Sequence, residues 1–300
     1  VGVDANVYLS PNTQVGGFLA KSFSPDMKGR DVAGYADFVY SDDLFSVFLN
    51  QNTIQDNFNP EMGYFQRTGI RRSEASLGIS PRPDILNIRQ IVFFNDFNYI
   101  ANQQGGLEAR YNYVGVWSQF VDGASLLAMM SWNVENLTES FDLSDDVVIS
   151  AGGYRFANLF AQFESDKSRV LSGSLLGRVG KFYDGDIIGY GGSLNLKIGS
   201  HVAWNIQCER NVIDVSGGNV TTTLLGTRFT YAFSPRLFAK AFIQWNSEQH
   251  EILANVLLSL IHTPGSDLFL VYNDQLSTQG KNLSSLYRTL LLKFTYLFSL

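Results

Sequence analysis

The stretch Thr289-Leu290-Leu291-Leu292-Lys293-Phe294-Thr295-Tyr296-Leu297-Phe298-Ser299-Leu300 stands at the end of the sequence. Successive side chains of an extended chain point to opposite faces. Leu290, Leu292, Phe294, Tyr296, Phe298 and Leu300 therefore share one face. Thr289, Leu291, Lys293, Thr295, Leu297 and Ser299 share the other. One face is apolar and aromatic, and the period is that of a half-buried strand rather than a helix. Working back along the chain, the same period returns. In 225–233, Leu225, Phe229, Tyr231 and Phe233 oppose Gly226, Arg228, Thr230 and Ala232. In 202–210, Val202, Trp204, Ile206 and Cys208 oppose Ala203, Asn205, Gln207 and Glu209. In 187–198, Ile188, Tyr190, Leu194, Leu196 and Ile198 oppose Gly189, Gly191, Ser193, Asn195 and Lys197. The second face is small, polar or charged throughout, as a water-facing lumen requires.

Turn signals divide the chain into about 17 such strands. Ser10-Pro11-Asn12, Ser41-Asp42-Asp43, Ser80-Pro81-Arg82-Pro83, Asp122-Gly123, Gly199-Ser200, Ser234-Pro235 and Thr263-Pro264-Gly265 read as short turns. Stretches 23–31, 55–70, 101–106, 136–152, 212–219 and 274–284 read as long loops. Short and long alternate, as they do between the two ends of an outer-membrane barrel. The reading is an antiparallel transmembrane β-barrel, all-β, in a single domain over 1–300. No Pro/Gly/Ser-rich linker divides it, and no fixed-length repeat suggests a propeller or solenoid.

Composition agrees. Hydrophobic residues make up 45% and charged residues 17%, below the roughly 25% of soluble domains. Mean hydropathy is nevertheless only −0.02. Strands with one face for lipid and one for water give that combination. No run approaches the ~18 apolar residues of a membrane helix. Phe and Tyr are abundant, at 23 and 14 residues, which suits aromatic belts at a membrane boundary. Tyr231 and Phe233 precede the Ser234-Pro235 turn, Trp204 follows Gly199-Ser200, and Trp245 leads into a polar loop at 246–251.

If the last strand ends on the periplasmic side, the 274–284 loop is extracellular and the first strand runs inward from outside. A closed single-chain barrel normally has an even strand number. The expectation is thus an N-terminally incomplete barrel. Val1 falls within a strand-like alternation, and no signal-peptide pattern is visible.

The run Phe58-Asn59-Pro60-Glu61-Met62-Gly63-Tyr64, followed by Arg67-Thr68-Gly69-Ile70-Arg71-Arg72, resembles an uncharacterised outer-membrane barrel family, catalogued as domain of unknown function 5916. Similar pieces follow in order along nearly the whole chain. They include Val3-Asp4-Ala5-Asn6, Ser80-Pro81-Arg82-Pro83, Gly153-Tyr154-Arg155-Phe156, Leu171-Ser172-Gly173-Ser174, Phe182-Tyr183-Asp184-Gly185-Asp186, Phe233-Ser234-Pro235-Arg236 and Pro264 to Asn273. In that family the barrel usually follows a β-sandwich similar to carbohydrate-binding family 9, which this chain lacks. The resemblance implies the later part of a barrel and a cell-surface role, with glycans as one candidate ligand. It carries no catalytic residues over. The ending with Phe294, Tyr296 and Phe298 also resembles the terminal strand that the barrel-assembly machinery reads, with Phe298 third from the end instead of last.

Candidate lumen-lining or mouth residues follow from the faces. Asn195, Lys197, Asn205, Gln207, Glu209, Arg228, Lys240 and Gln244 are expected to line the lumen. Arg67, Arg71 and Arg72 lie near Glu61 and Asp56 at the expected outer mouth. They either fold inward and pair with carboxylates, or form an anion-attracting constriction, or contact lipid headgroups or a partner.

Other chemistry is sparse. His201, His250 and His262 lie in or beside turns without zinc-ligand spacing. Asp184-Gly185-Asp186 and Asp142…Asp145-Asp146 do not complete a calcium loop. Cys208 is the single cysteine, so no internal disulfide forms. No nucleophile elbow, phosphate loop or dinucleotide fingerprint is present. No metal, no cofactor and no catalytic residue is expected, and the chain reads as no enzyme. With net charge −6 and no basic patch, nucleic acid is not an expected partner. The expected partners are outer-membrane lipid, the assembly machinery, and glycans or a small solute, in a bacterial outer membrane. Two alternatives stand: a structural anchor without a pore, and a soluble all-β carbohydrate-binding or hydrolytic protein.

Overall fold

A computed structural model describes residues 1–25, 29–61, 63, 65, 67–83, 85–280 and 282–298. Every regular element in it is a β-strand. The strands are β1 (Gly2–Ser10), β2 (Thr13–Lys21), β3 (Val32–Ser41), β4 (Phe45–Ile54), β5 (Ile70–Ile79), β6 (Ile88–Asn102), β7 (Leu107–Phe120), β8 (Ser125–Leu137), β9 (Phe141–Ser144) and β10 (Val147–Ile149). They continue as β11 (Gly152–Glu164), β12 (Leu171–Phe182), β13 (Gly185–Ile198), β14 (Val202–Val215), β15 (Gly218–Ser234), β16 (Leu237–Asn246), β17 (Glu251–Thr263), β18 (Ser266–Ser277) and β19 (Ser284–Thr295).

Each strand pairs antiparallel with the next from β1 to β8. β8 then pairs with β11, and the meander runs on to β19. The sheet has 17 strands, the number the turn signals predict. β9 and β10 form a separate hairpin within the β8–β11 connection. Among the described residues no ladder joins β1 to β19, so these two strands are the edges, and both are exposed along almost their whole length.

The loop pattern departs from the sequence reading in places. Stretch 212–219 is no loop: β14 reaches Val215, and a two-residue turn, Ser216-Gly217, leads straight into β15. The β-branched Val212, Ile213, Val215 and Val220 extend both strands, as their packing on a pleated surface favours. The loops expected at 101–106 and 274–284 shrink to 103–106 and 278–283. At the opposite end, the Ser80–Pro83 turn is part of a longer connection, 80–87, and 165–170 is a further loop there. Connections are longest at the end where β1 begins, at 22–31, 55–69 and 138–151, but the sorting is not strict.

Register fixes the faces, because partners across a ladder share a side. On one face Asn195 stands opposite Asn205, then Arg228, Phe242, Asn255, Asn273 and Thr289 in one row across β13 to β19. We call this the polar face. The other carries Ile188, Tyr190, Leu194, Trp204, Ile206, Leu225, Phe229 and Leu258, all exposed. Leu290, Leu292 and Phe294 are 68%, 67% and 69% exposed there. The division has exceptions. Phe48 and Leu253 stand on the polar face. Asn95 and Asn112 stand on the apolar face, where the Asn95 Nδ2 donates to Asn112 Oδ1 at 3.0 Å.

Close strand packing explains one glycine. A Cβ on Gly185 would lie 1.8 Å from the backbone oxygen of Asp214. The tight start of β13 against β14 therefore admits no side chain.

Two clusters form the buried core, and both lie on the polar face at the end with the long loops. Val147 and Ile149 of the β9–β10 hairpin pack on Ile187, Ile213, Val215 and Val220. Phe58 of the 55–69 loop packs on Ala33 and Ile54. The two longest loops thus fold back over the polar face instead of standing away from the sheet.

Candidate functional site

The polar face holds every residue of the lumen group. Asn195, Asn205 and Arg228 share one row, Gln207 and Gln244 a second, and Lys197 and Lys240 a third. Glu209 lies nearer the long-loop end and accepts from Asn211 Nδ2 at 3.2 Å. Asn205 Nδ2 donates to Asn195 Oδ1 at 2.8 Å, and Asn255 Nδ2 to Asn273 Oδ1 at 2.5 Å. The Arg228 guanidinium sits 5.1 Å from the Phe242 ring centre, a cation–π distance. Lys197 Nζ donates to the backbone oxygen of Lys167 at 2.7 Å. Side chains in these rows bond sideways to their neighbours, so the face is a hydrogen-bonded polar surface.

The arginine group separates. Arg71 and Arg72 are consecutive residues of β5 and point to opposite faces, so they form no common cluster with Arg67. Arg72 lies on the polar face, paired with Glu74 at 3.0 Å and donating to Asn98 Oδ1 at 3.2 Å. Arg71 lies on the apolar face opposite Thr53. Arg67 pairs with Glu108 at 2.6 Å, and Asp56 with Arg30 at 2.5 Å. Glu61 makes its nearby contact through its own N–H, which donates to Asn59 Oδ1 at 3.2 Å. The period of two in β5 is what parts Arg71 from Arg72. Within 58–72, Met62, Tyr64 and Gln66 lie outside the described residues.

The terminal strand also differs from expectation. The β19 ladder ends at Thr295, so Phe294 is paired while Tyr296 and Phe298 lie beyond it. The three rings still contact in series, at 6.2 Å and 4.6 Å between centroids. Ser299 and Leu300 lie outside the described residues.

A more organised group lies on the polar face across β7, β8, β11 and β12. Glu135 stands near the end of β8. Tyr111 Oη donates to its Oε1 at 2.9 Å, and Tyr183 Oη donates to its Oε2 at 2.8 Å. Tyr183 occupies the β12–β13 turn with φ of 50°, which directs its ring over the sheet. Phe141, Tyr154, Phe156 and Phe182 surround that ring at 4.8–5.5 Å. Burial first, and the bond to Glu135 second, push the Tyr183 phenol above its ordinary value of 10.0. Beneath the ring lies a cavity of about 220 Å³, lined by Asn133, Glu135, Phe156, Phe160, Arg178 and Phe182 among others.

None of these residues stood out from the sequence as a site. The alternation of Ser131, Asn133 and Glu135 in β8, and of Tyr111 and Tyr113 in β7, already places them on one face. What the alternation cannot supply is Tyr183, a turn residue that reaches back across β11.

Among the described residues no group of three or more His, Cys, Asp or Glu side chains converges on a possible metal position. Asp184, from the weak acidic motif, is bonded by the Ser216 hydroxyl. No protein-family model matches the chain, and no curated protein matches it.

Proposed function

We propose that this sheet is the wall of a bacterial outer-membrane β-barrel that admits small solutes along its polar face. The observation that carries the reading is the division of faces. Large apolar side chains stay exposed along the apolar face from β1 to β19, with β3 the exception, an extent that soluble monomers do not leave open to water. Hydrocarbon would cover that face, while the polar face would line an aqueous lumen. An all-antiparallel meander is the topology of such barrels.

A sheet with two free edges cannot sit in a bilayer, because unpaired backbone groups are costly there. The reading therefore includes further strands that bridge β1 and β19. Assembly would use the terminal aromatic strand of Phe294, Tyr296 and Phe298. Likeness to the barrel family adds a cell-surface role with glycans as candidate cargo.

One feature favours a second reading. The β9–β10 hairpin and Phe58 cover parts of the polar face, so the lumen would be partly plugged and the barrel would serve as an anchor.

The test is refolding in detergent followed by gel mobility with and without heating, for this chain and for one extended upstream. A heat-dependent shift confined to the extended chain supports both the barrel and the bridging strands. A chain that is folded, monomeric and soluble without detergent overturns the reading. Planar-bilayer recording then separates the two forms: steady unitary conductance indicates a pore, and silence an anchor.

A further inference from the structure

The cavity beneath Tyr183 holds groups that the wall itself does not need. Asn133 is only 8% exposed. Its Nδ2 donates to Ser131 Oγ at 3.3 Å, but its Oδ1 is buried with no donor among the described residues. Buried carbonyl oxygens are normally satisfied, and each that is not calls for an explanation. Asn133 is one of the residues lining the cavity, and a turn of its amide would present this oxygen to a ligand donor there.

The surroundings narrow the ligand. Glu135 is fixed by two phenol hydroxyls, one on each oxygen, and each oxygen keeps a further lone pair. Arg178 leans over the Phe160 ring at 5.7 Å and has no carboxylate within ion-pair distance among the described residues. Its N–H groups bond no acceptor among the described residues and stand on the cavity wall. Phe156, Phe160 and Phe182 supply flat apolar surface. A wholly apolar ligand would leave Asn133 Oδ1 without a donor and the Arg178 guanidinium without an acceptor. An inorganic anion would meet the Glu135 carboxylate and use none of the rings. A sugar ring satisfies all three features. Its C–H face packs on aromatic rings, and each hydroxyl both donates, to Asn133 Oδ1 or Glu135, and accepts, from Arg178.

We propose that this cavity binds a hexopyranose unit. The inference rests on the reading that the polar face is open to solvent inside a barrel. It gives that barrel a sugar-binding station close to its long-loop end, under the ring of Tyr183.

The test uses protein refolded in a detergent without a sugar headgroup, with its heat-dependent gel shift recorded first. Methyl glucoside, methyl galactoside and maltose are titrated by calorimetry. Saturable binding of at least one is expected. Asn133→Leu and Phe182→Ala should each weaken it by about tenfold, while Gln119→Ala, distant on the same face, leaves it unchanged. Circular dichroism checks that each variant keeps its strand content. Absence of saturable binding in folded protein overturns the inference, as does undiminished binding in folded Asn133→Leu. A folded protein without the gel shift counts against the membrane reading alone, because the titration needs only the folded sheet.

Discussion

The Tyr183 hydroxyl reaches across β11 to donate to Glu135 on β8 at 2.8 Å. Most side-chain bonds in this sheet join adjacent strands, whereas this one ties the β12–β13 turn to β8, two strands away. Tyr183→Phe keeps the ring packing and removes the bond, which makes it a clean probe. We expect a loss of roughly 1–2 kcal/mol in the unfolding free energy in detergent, since the bond is charge-assisted but only partly buried.

The same phenol sets a pH dependence. Its folded pKa lies above the ordinary 10.0, so it binds its proton more tightly folded than unfolded. The stabilisation is fully present below the ordinary value and is lost only as pH rises through the higher folded value. In an alkaline titration followed by phenolate absorbance, the Tyr183 phenol should ionise later than freely exposed tyrosines. The late-ionising absorbance should fall by one tyrosine in Tyr183→Phe.

Ile149 is 2% exposed where the β9–β10 hairpin meets β13, β14 and β15. Placing an amide there strands a polar group in an apolar contact. Ile149→Asn should undock the hairpin at a cost of about 3 kcal/mol and leave the 17-stranded sheet standing. Limited proteolysis checks this: cleavage within 138–151 should rise, with the remaining fragments still associated.

Neighbouring positions on β16 test the two faces. Ile243 lies on the apolar face and Gln244 on the polar face. Within a bilayer, Ile243→Lys should cost about 2–4 kcal/mol near the midplane, whereas Gln244→Lys should be almost neutral. Equal, small effects of both in reconstituted protein would count against lipid on the apolar face.

Gly185 admits no Cβ, because the Asp214 backbone oxygen stands in its place. Gly185→Ala should therefore destabilise the β13–β14 start by about 1–3 kcal/mol. Denaturant midpoints in detergent measure it, with Gly177→Ala as the contrast, since a Cβ there meets nothing within 4 Å.

Much of the fold was legible from hydrophobic periodicity. In 202–210 and 225–233 the two faces read from the sequence are the two faces of the sheet, because a period of two leaves no other assignment. The 212–219 stretch misled, since Gly217 and Gly218 suggest a loop while the valines on either side continue the strands. The hairpin at 141–149 was hidden inside a loop, because its strands are short and its partners lie distant in the sequence. The site residues divide likewise. Asn195 and Asn205 were readable as polar-face residues of their strands, but the separation of Arg71 from Arg72 required β5 to begin at Ile70. The Asn133 cavity depends on Tyr183 reaching over from a turn, and no local pattern encodes such a reach.

The meander has a mechanical consequence. A strand bonded only to its sequence neighbours can be peeled away singly, so tension applied to the chain's ends would strip the sheet inward from β1 and β19 in modest, repeated steps. The peeling would change character on reaching the middle. There the Tyr183–Glu135 bond spans β8 to β12, and the hairpin's apolar contacts reach from the β8–β11 connection to β15. Several strands would have to yield together. Resistance to force is thereby concentrated between β8 and β15, the same region that holds the cavity, so the site would be the last part of the sheet to lose its shape.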